Sequence, residues 1–446
     1  FNCVFTFKYL NTFEITIIYY QFIIIKYMTK PIIICGAGIA GVSTAYYILK
    51  NNSKANVILV DKNQPLSFTT SKSGENYRDF WPQECMQKFV SRSIFLMKEL
   101  RKEYGNDSFK MIASGYNFIS HHKENPIFDI EENENSKNAL EEITDKKIIK
   151  SDFPYFDEKI EKIIKIKNAG KIDVYDLGNL LFREAKKMGL QFIQSEVLSI
   201  TKNNTEFKIT LETNETLDAS QIVISSGPFI NNIGKMIGLE FNILNTLQRK
   251  FIIPDPKNII PKNMPFTIYA DSQKLNWSID EIDFFSSDEK LHWLLQEFPG
   301  GLHIKPETEG IKLGWAFQTE NETPEWTPKN FDFFPQAVLK GASRFIPELA
   351  AYEENIPNPM IEYAGYYTRT KENWPLIGPT KEKNVFVIGA LAGYGTMSAC
   401  AAGELCAHYI LEKDDLPSYA ENFHPLRYDN PKIMDAIKNL KSDGQL

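Results

Sequence analysis

Residues 31–61 read PIIICGAGIAGVSTAYYILKNNSKANVILVD. Pro31 to Cys35 is a short apolar run between a proline and a glycine, the pattern of a buried parallel strand. From Gly38 the residues Ile39, Val42, Ala45, Tyr46 and Leu49 recur at three- and four-residue spacing, so they share one face of a helix. Asn51-Asn52-Ser53 ends that helix. Val57 to Val60 is a second apolar strand, closed by Asp61. Strand, helix and strand within about thirty residues is the size of a βαβ unit.

The turn Gly36-Ala37-Gly38-Ile39-Ala40-Gly41 joins strand to helix. Gly36 permits the tight turn, Gly38 lets backbone approach a pyrophosphate, and Gly41 lets helix pack on strand. A helix N-terminus offers free N–H groups and partial positive charge to phosphate. Asp61, at the end of the second strand, stands where a carboxylate accepts hydrogen bonds from ribose hydroxyls, and Lys62 follows it. The acid argues against a 2′-phosphate and so against NADP. The pattern implies a dinucleotide and does not separate NAD from FAD.

The 446 residues suggest two to three domains. A hydrophobic fraction of 43% and a charged fraction of 24% are ordinary for a globular chain. Net charge is −7 and the lysines are interleaved with acids, so no nucleic-acid partner is expected. The five cysteines show no metal-ligand spacing, and Cys35 reads as a small buried hydrophobe. The stretch FEITIIYYQFIIIKY, residues 13–27, is short for a membrane span and contains Glu14. Met28 is expected to be the natural start, residues 1–27 an extraneous extension, and the protein cytoplasmic. A membrane anchor is the alternative, and stable membrane insertion is not expected.

Further along, helices are expected over Pro82 to Tyr104, Val174 to Met188 and Met397 to Leu411. Strands are expected at Phe192–Ile200, Phe207–Glu212, Gln221–Ser225 and Val385–Ile388. Residues 244–320 alternate short β-like runs with turns, as in an antiparallel sheet. Residues 122–165 are polar and charge-dense and read as an irregular surface excursion.

Four stretches carry a wider likeness. They are GAGIAGVSTAYYIL at 36–49 with Asp61, TTSKSGENYRDFWP at 69–82, SQIVISSGPFI at 220–230, and YYTRTKENWPLIG at 366–378 followed by VFVIGALAGYGTMSACAAGE at 385–404. On these residues the chain, from Met28 to about Tyr428, resembles the D-amino acid oxidase-like flavoprotein family, which includes sarcosine, dimethylglycine and glycine oxidising enzymes. The resemblance implies an α/β fold, with a Rossmann-like FAD-binding domain and an inserted antiparallel-sheet (α+β) substrate domain. The FAD-binding domain is expected at 28–110, 165–240 and 365–430, the substrate domain at 111–164 and 241–364, and a C-terminal tail at 431–446.

The resemblance also implies site residues. Ser71, Lys72, Ser73 and Gly74 would wrap the diphosphate and flavin, Val197 would meet the adenine, and Gly227 ends a small-residue turn. Gly393, Tyr394, Gly395, Thr396 and Met397 would turn a helix N-terminus toward the pyrimidine edge of the flavin, where negative charge accumulates on reduction. A plain helix cap is the alternative. Arg78 would hold a substrate carboxylate, or pair with a local acid such as Glu75 or Asp79. Lys312 resembles a lysine that assists reaction with oxygen; otherwise strand alternation points it to water. His303 reads as a structural histidine, with a place lining the site as the alternative.

Four departures matter. Gly365 stands where some relatives tether flavin to a cysteine, and residues 69–80 hold no histidine, so FAD is expected to be non-covalent. Met397 stands where some relatives place a substrate-binding lysine. Glu372 replaces an aspartate. The implied activity is hydride transfer from the carbon beside an amine nitrogen of a small amino acid or N-methylated amine, with oxygen or an electron-transfer protein as acceptor. An amine dehydrogenase, a non-catalytic flavin-binding subunit and an NAD-dependent dehydrogenase are the alternatives.

Overall fold

The computed structural model describes residues 30–124, 138–328, 331–442 and 444. The expectations for residues 1–27 lie outside them. Strand β1 (Ile32–Cys35) leads into helix α1 (Ile39–Asn51) and strand β2 (Val57–Asp61). β1 and β2 pair in parallel, Ile32 opposite Val57 and Cys35 opposite Val60. Ile33, Ile34, Val57 and Leu59 are fully buried, as strands covered on both faces require.

The chain continues through β3 (Asn76–Arg78), α2 (Glu84–Tyr104), β4 (Tyr116–Ser120), β5 (Leu140–Ile143) and β6 (Lys162–Ile166). Then follow α3 (Val174–Lys187), β7 (Gln191–Gln194) and β8 (Gln221–Ile224). A long excursion comprises β9 (Leu244–Ile253), β10 (Phe266–Tyr269), β11 (Leu302–Glu307), β12 (Gly310–Trp315), α4 (Phe334–Ala342) and β13 (Ile361–Arg369). The chain returns with β14 (Leu376–Pro379), β15 (Val385–Gly389) and α5 (Gly395–Ile410).

Two sheets organise these elements. The first has the order β14-β15-β8-β1-β2-β7, parallel except for β14 at one edge. Ile32, Ile34, Val57 and Leu59 pack under the helices, with residues of α1, α2, α3 and α5. The alternate residues Ile33, Cys35, Ile58 and Val60 pack under a small antiparallel sheet of Val197–Asn203, Glu206–Leu211 and Thr216–Ala219. Helices α1 and α5 touch where both carry small residues. A Cβ on Gly403 would lie 2.2 Å from Ser43 Oγ, and that hydroxyl donates to the Ala399 carbonyl at 2.7 Å.

The second sheet has the order β13-β9-β12-β11-β10-β4-β6-β5. Its neighbours are antiparallel except β10 and β4. Alternation divides it into two unlike faces. Phe251, Ile253, Leu302, Ile304, Ile311, Leu313 and Trp315 pack with Val338, Leu339 and Ala342 of α4 into a second core. The intervening residues Gln248, Lys250, His303 and Lys312 turn to a cavity on the other side.

The structure differs from the sequence reading in two elements. The polar stretch expected to be irregular supplies β5 and β6 at one edge of the second sheet. Lysines at 162 and 165 interrupt the apolar run of β6, yet Ile163, Ile164 and Ile166 are buried against β4. Pairing with a formed strand overrides weak local pattern there. Phe192–Ile200, read as one strand, is two, one in each of two sheets. The chain leaves the first at Ser195, whose N–H donates to the Asp61 carbonyl at 2.8 Å.

Candidate active site

A long cleft opens at the C-terminal ends of β1, β2, β8 and β15. Gly36, Gly38, Ile39 and Ala40 line it with Asp61, Lys62, Val197, Gly227, Gly393, Gly395 and Thr396. The three glycines of the first turn have distinct local reasons. Gly36 has φ of +117°, a conformation side chains rarely adopt, and a Cβ there would lie 2.5 Å from the Ser225 carbonyl oxygen. A Cβ on Gly41 would lie 1.9 Å from the Gly36 carbonyl oxygen. Gly38 instead opens on the cleft, its nearest neighbour being Thr70 Oγ1 at 3.4 Å from such a Cβ.

Gly38 caps α1 without a side chain, and the Ile39 N–H donates to Thr70 Oγ1 at 3.1 Å. Tyr394 caps α5, also without a side-chain hydrogen bond. Two helix N-termini thus bring partial positive charge to this cleft. Asp61 accepts from the N–H groups of Ala37 at 2.7 Å and Asn63 at 2.8 Å. Burial raises its pKa, and the two backbone bonds oppose that rise. Its oxygens keep lone pairs for further donors. Lys62 pairs with Glu196 at 2.5 Å and lies 5.8 Å from the Trp326 ring centroid. Phe68, Phe229 and Tyr366 join Trp326 along the wall, with Trp326 stacked on Phe229 at 4.5 Å.

A second cavity abuts the first, between the polar face of the second sheet and the start of α5. Glu75, Arg78, Gln248, His303, Lys312 and Arg369 line it with the rings of Trp81, Tyr116 and Tyr394. Six residues line both spaces: Ser73, Gly74, Lys250, Tyr367, Gly393 and Thr396. Ser73 Oγ and Thr396 Oγ1 share a hydrogen bond of 2.7 Å across that seam.

Charge in the second cavity is predominantly positive. Arg78, Lys250, Lys312 and Arg369 face a single lining acid, Glu75. Lys312 pairs with Glu307 at 2.8 Å and Glu75 at 3.7 Å. Burial works against its charge, but Tyr363 and Glu307 outweigh it and its pKa is raised. Lys305 pairs with Glu307 at 3.1 Å and donates to the Gly74 carbonyl at 2.7 Å. Burial, reinforced by Lys312, holds its pKa down to about 8. Burial and Lys250 push His303 down to about 3, so it is neutral, and its Nδ1–H donates to the Gly301 carbonyl at 3.0 Å. Its other nitrogen requires glycine at 314, where a Cβ would lie 2.6 Å from Nε2.

The structure distributes the sequence-expected residues unevenly. Tyr394 and Met397 line the second cavity and not the cleft. Tyr394 is buried edge-on to Trp81, its hydroxyl donating to the Asn373 carbonyl at 2.7 Å. Ser71 lines neither space; its hydroxyl donates to the carbonyls of Phe68 at 2.7 Å and Ser67 at 2.9 Å. Gly41 lines neither and acts in packing. Lys312 is 6% exposed and points into the cavity, not to water. Arg78 is 1% exposed, lies 4.4 Å from the Trp81 ring centroid, and donates to the Gly444 carbonyl of the C-terminal tail. Sequence reasoning missed Thr70, Ser225, Trp326, Tyr367 and Lys250. Thr70, Ser225 and Tyr367 fall within the stretches that carry the family likeness, whereas Trp326 and Lys250 leave no local signal.

The family model described as FAD dependent oxidoreductase matches residues 31–409. The chain belongs to this family. No curated protein sequence matches it. Among solved structures, L-proline dehydrogenase from P. horikoshii is similar, with a TM-score of 0.70 at 20% identity over 90% of this chain and 98% of that one. Glycine oxidase from Geobacillus kaustophilus gives 0.67 at 16% identity, over 88% and 97%. Iminodiacetate oxidase from Chelativorans sp. BNC1 gives 0.62 at 15% identity, over 86% and 97%. At such identities the likeness is one of fold.

The family settles the choice between nucleotides that the glycine turn left open: the enzyme is an FAD-dependent oxidoreductase. The cleft's own residues fit that group. The open Gly38 leaves room for a diphosphate at the start of α1, Asp61 lies within reach of a ribose, and α5 presents a second N-terminus where a flavin would end. Among the described residues no helix is long and apolar enough to cross a membrane.

Proposed function

We propose that the enzyme holds FAD without a covalent link and oxidises the C–N bond of a small amino acid or N-methylated amine. The observation that carries this reading is the seam, where the cleft at the glycine turn and a cationic cavity share six residues. Bound there, FAD would supply a two-electron acceptor for hydride from the carbon beside the nitrogen, and the imine left behind would be hydrolysed by water.

The chain's own residues orient and tune. Ser73 and Thr396 place their linked hydroxyls at the seam. The α5 N-terminus, with Gly393 and Gly395, favours negative charge at that end of the cleft. Ser73, Gly74, Val197 and Gly227 line the remaining length of the cofactor site. A positive cavity attracts a carboxylate and disfavours an ammonium, so it promotes the neutral amine from which hydride leaves. Arg78 closes the far wall under the C-terminal tail. Gly365 at the cleft wall, with no cysteine or histidine in residues 69–80, supports a non-covalent site. The Cys35 thiol, also on that wall, is pushed up to about 12 by burial and stays protonated.

Anaerobic titration of the purified yellow protein with sarcosine, glycine, proline and D-amino acids tests the reading. Bleaching of the visible flavin band by at least one is expected; a protein bleached by none is not an amine oxidoreductase of this kind. A second reading, transfer of electrons to a protein acceptor, is favoured by Lys312. That lysine lines the substrate cavity and not the cleft, with its ammonium paired to Glu307. Substrate-dependent oxygen consumption at the rate of bleaching sinks the second reading.

A further inference from the structure

Six residues form the seam between cleft and cavity, and Lys250 is the charged one. It stands on β9 with 4% exposure, on the sheet face that carries Lys312 and His303. Its neighbours fix its direction. A Cβ on Gly314 would lie 2.8 Å from Lys250 Cγ, and one on Gly74 would lie 4.0 Å from Cε. The side chain therefore runs from the sheet toward the loop that closes the cofactor cleft.

The three buried lysines of this face differ in their partners. Lys305 and Lys312 share Glu307. Lys250 has no acidic partner within salt-bridge distance among the described residues; its Nζ reaches the Tyr367 hydroxyl at 3.4 Å and lies 5.2 Å from that ring's centroid. A buried ammonium without a counter-ion is costly unless something supplies one. Burial, reinforced by Lys312, accordingly lowers its pKa.

Arg369 lines the cavity but not the cleft, and Arg78, another lining cation, is placed differently. Its guanidinium lies against the rings of Trp81, Tyr116 and Phe118 and donates to the Gly444 carbonyl. It lines the cavity but not the seam. In an amino acid the carboxylate sits on the carbon that gives up hydride or, where an N-methyl or ring carbon reacts instead, three bonds from it. A cation that holds it therefore stands close to where the cavity meets the cofactor.

We propose that Lys250 binds the carboxylate of the substrate, and that the substrate is therefore an amino acid or an N-substituted amino acid, not a simple amine. The substrate supplies the counter-ion that the protein withholds. This inference rests on the amine-oxidising reading for its chemistry, but the anion site is testable without turnover.

The experiment uses the FAD-loaded enzyme and its Lys250→Met and Lys250→Arg variants. Substrate pairs differ only at the carboxylate: sarcosine and sarcosinamide, proline and prolinamide. Acetate and cyclopentanecarboxylate, which lack an amine, are titrated by their perturbation of the flavin spectrum. In the wild type, bleaching by the carboxylate member is expected at a concentration lower by about ten-fold or more than by the amide, the span of one charge-assisted hydrogen bond. Lys250→Met is expected to abolish that preference, raising KM for the carboxylate with little change in kcat, and to weaken the amine-free carboxylates equally. Lys250→Arg restores most of their binding. Should Lys250→Met fail to retain FAD, Lys250→Gln takes its place. Unchanged carboxylate affinity in the neutral variant, or equal bleaching by carboxylate and amide in the wild type, overturns the inference. Lys250-dependent binding of acetate or cyclopentanecarboxylate without bleaching by any amine upholds the anion site and overturns the catalytic reading. Neither bleaching nor binding overturns both.

Discussion

The two large sheets bury their strands under opposite rules. In the first, the central strand β8 carries Ile222, Val223 and Ile224, all fully buried, with apolar layers above and below. In the second, β11 and β12 are just as inaccessible, but one face carries His303, Lys305 and Lys312. The cleft beside the first sheet is lined by backbone of loops and helix termini beyond the strand ends. The cavity beside the second is lined by side chains that stand on the strands themselves. A sheet can bury cations where a neighbouring acid or an arriving ligand compensates them.

The sharpest way to break this contrast is to exchange the rules. Val223→Lys sets an ammonium inside the first sheet, with no acid or cavity to receive it. The expected result is loss of the folded protein, read as insoluble expression or absence of a cooperative melt, because the penalty for such an ion is several kcal/mol. A smaller effect is expected when compensation is removed from the second sheet. Glu307→Ala leaves Lys305 and Lys312 without their shared acid and is expected to lower stability by about 2 kcal/mol in urea unfolding at neutral pH. The pH dependence has a definite sign. Lys305 titrates at about 8 in the folded chain against an ordinary value of 10.5. The unfolded chain therefore binds more protons between these values, and stability rises with pH through that window. The deficit of Glu307→Ala is expected to shrink there, as Lys305 loses its charge; a pH-independent deficit would sink the pairing.

The least disruptive change sharpens the statement that the first sheet works through backbone. A Cβ on Gly38 meets only Thr70 Oγ1, at 3.4 Å, so Gly38→Ala should fold. It should nonetheless hold FAD about ten-fold more weakly, near 1.4 kcal/mol, by crowding the diphosphate approach. Flavin retained after dialysis, compared with melting of the stripped protein, checks both halves.

Legibility in the sequence follows the same division. Continuous apolar runs at 32–35, 57–60 and 385–388, each followed by an acid or a glycine turn, announce a parallel sheet and the cleft at its strand ends. The alternating strands of the second sheet are legible as strands, but not which face packs in a core and which lines a cavity. Lysine in an alternating strand has the same pattern whether it meets solvent or a cavity, so Lys312 reads either way and Lys250 carries no mark of its own. Residues such as Thr70 and Trp326 join the cleft through contacts between distant segments, which no local periodicity records. The tail at Gly444 over Arg78 belongs to the same class. Glu372 is intermediate: its replacement of an aspartate was visible, but its buried pairing with Arg427 and its bond from the Tyr428 hydroxyl at 3.0 Å were not.

The contact of α1 with α5 has a consequence for how the chain comes to be made. The hydroxyl of Ser43 and the carbonyl of Ala399 that it meets are 356 residues apart. On a ribosome the first helix therefore emerges long before the surface that shields it has been synthesised. The N-terminal βαβ unit cannot mature as an autonomous piece, because its outer flank and one wall of its nucleotide cleft arrive last. Nascent chains halted before residue 395 should engage chaperones and fail to retain flavin, however well their first sixty residues match a nucleotide-binding pattern.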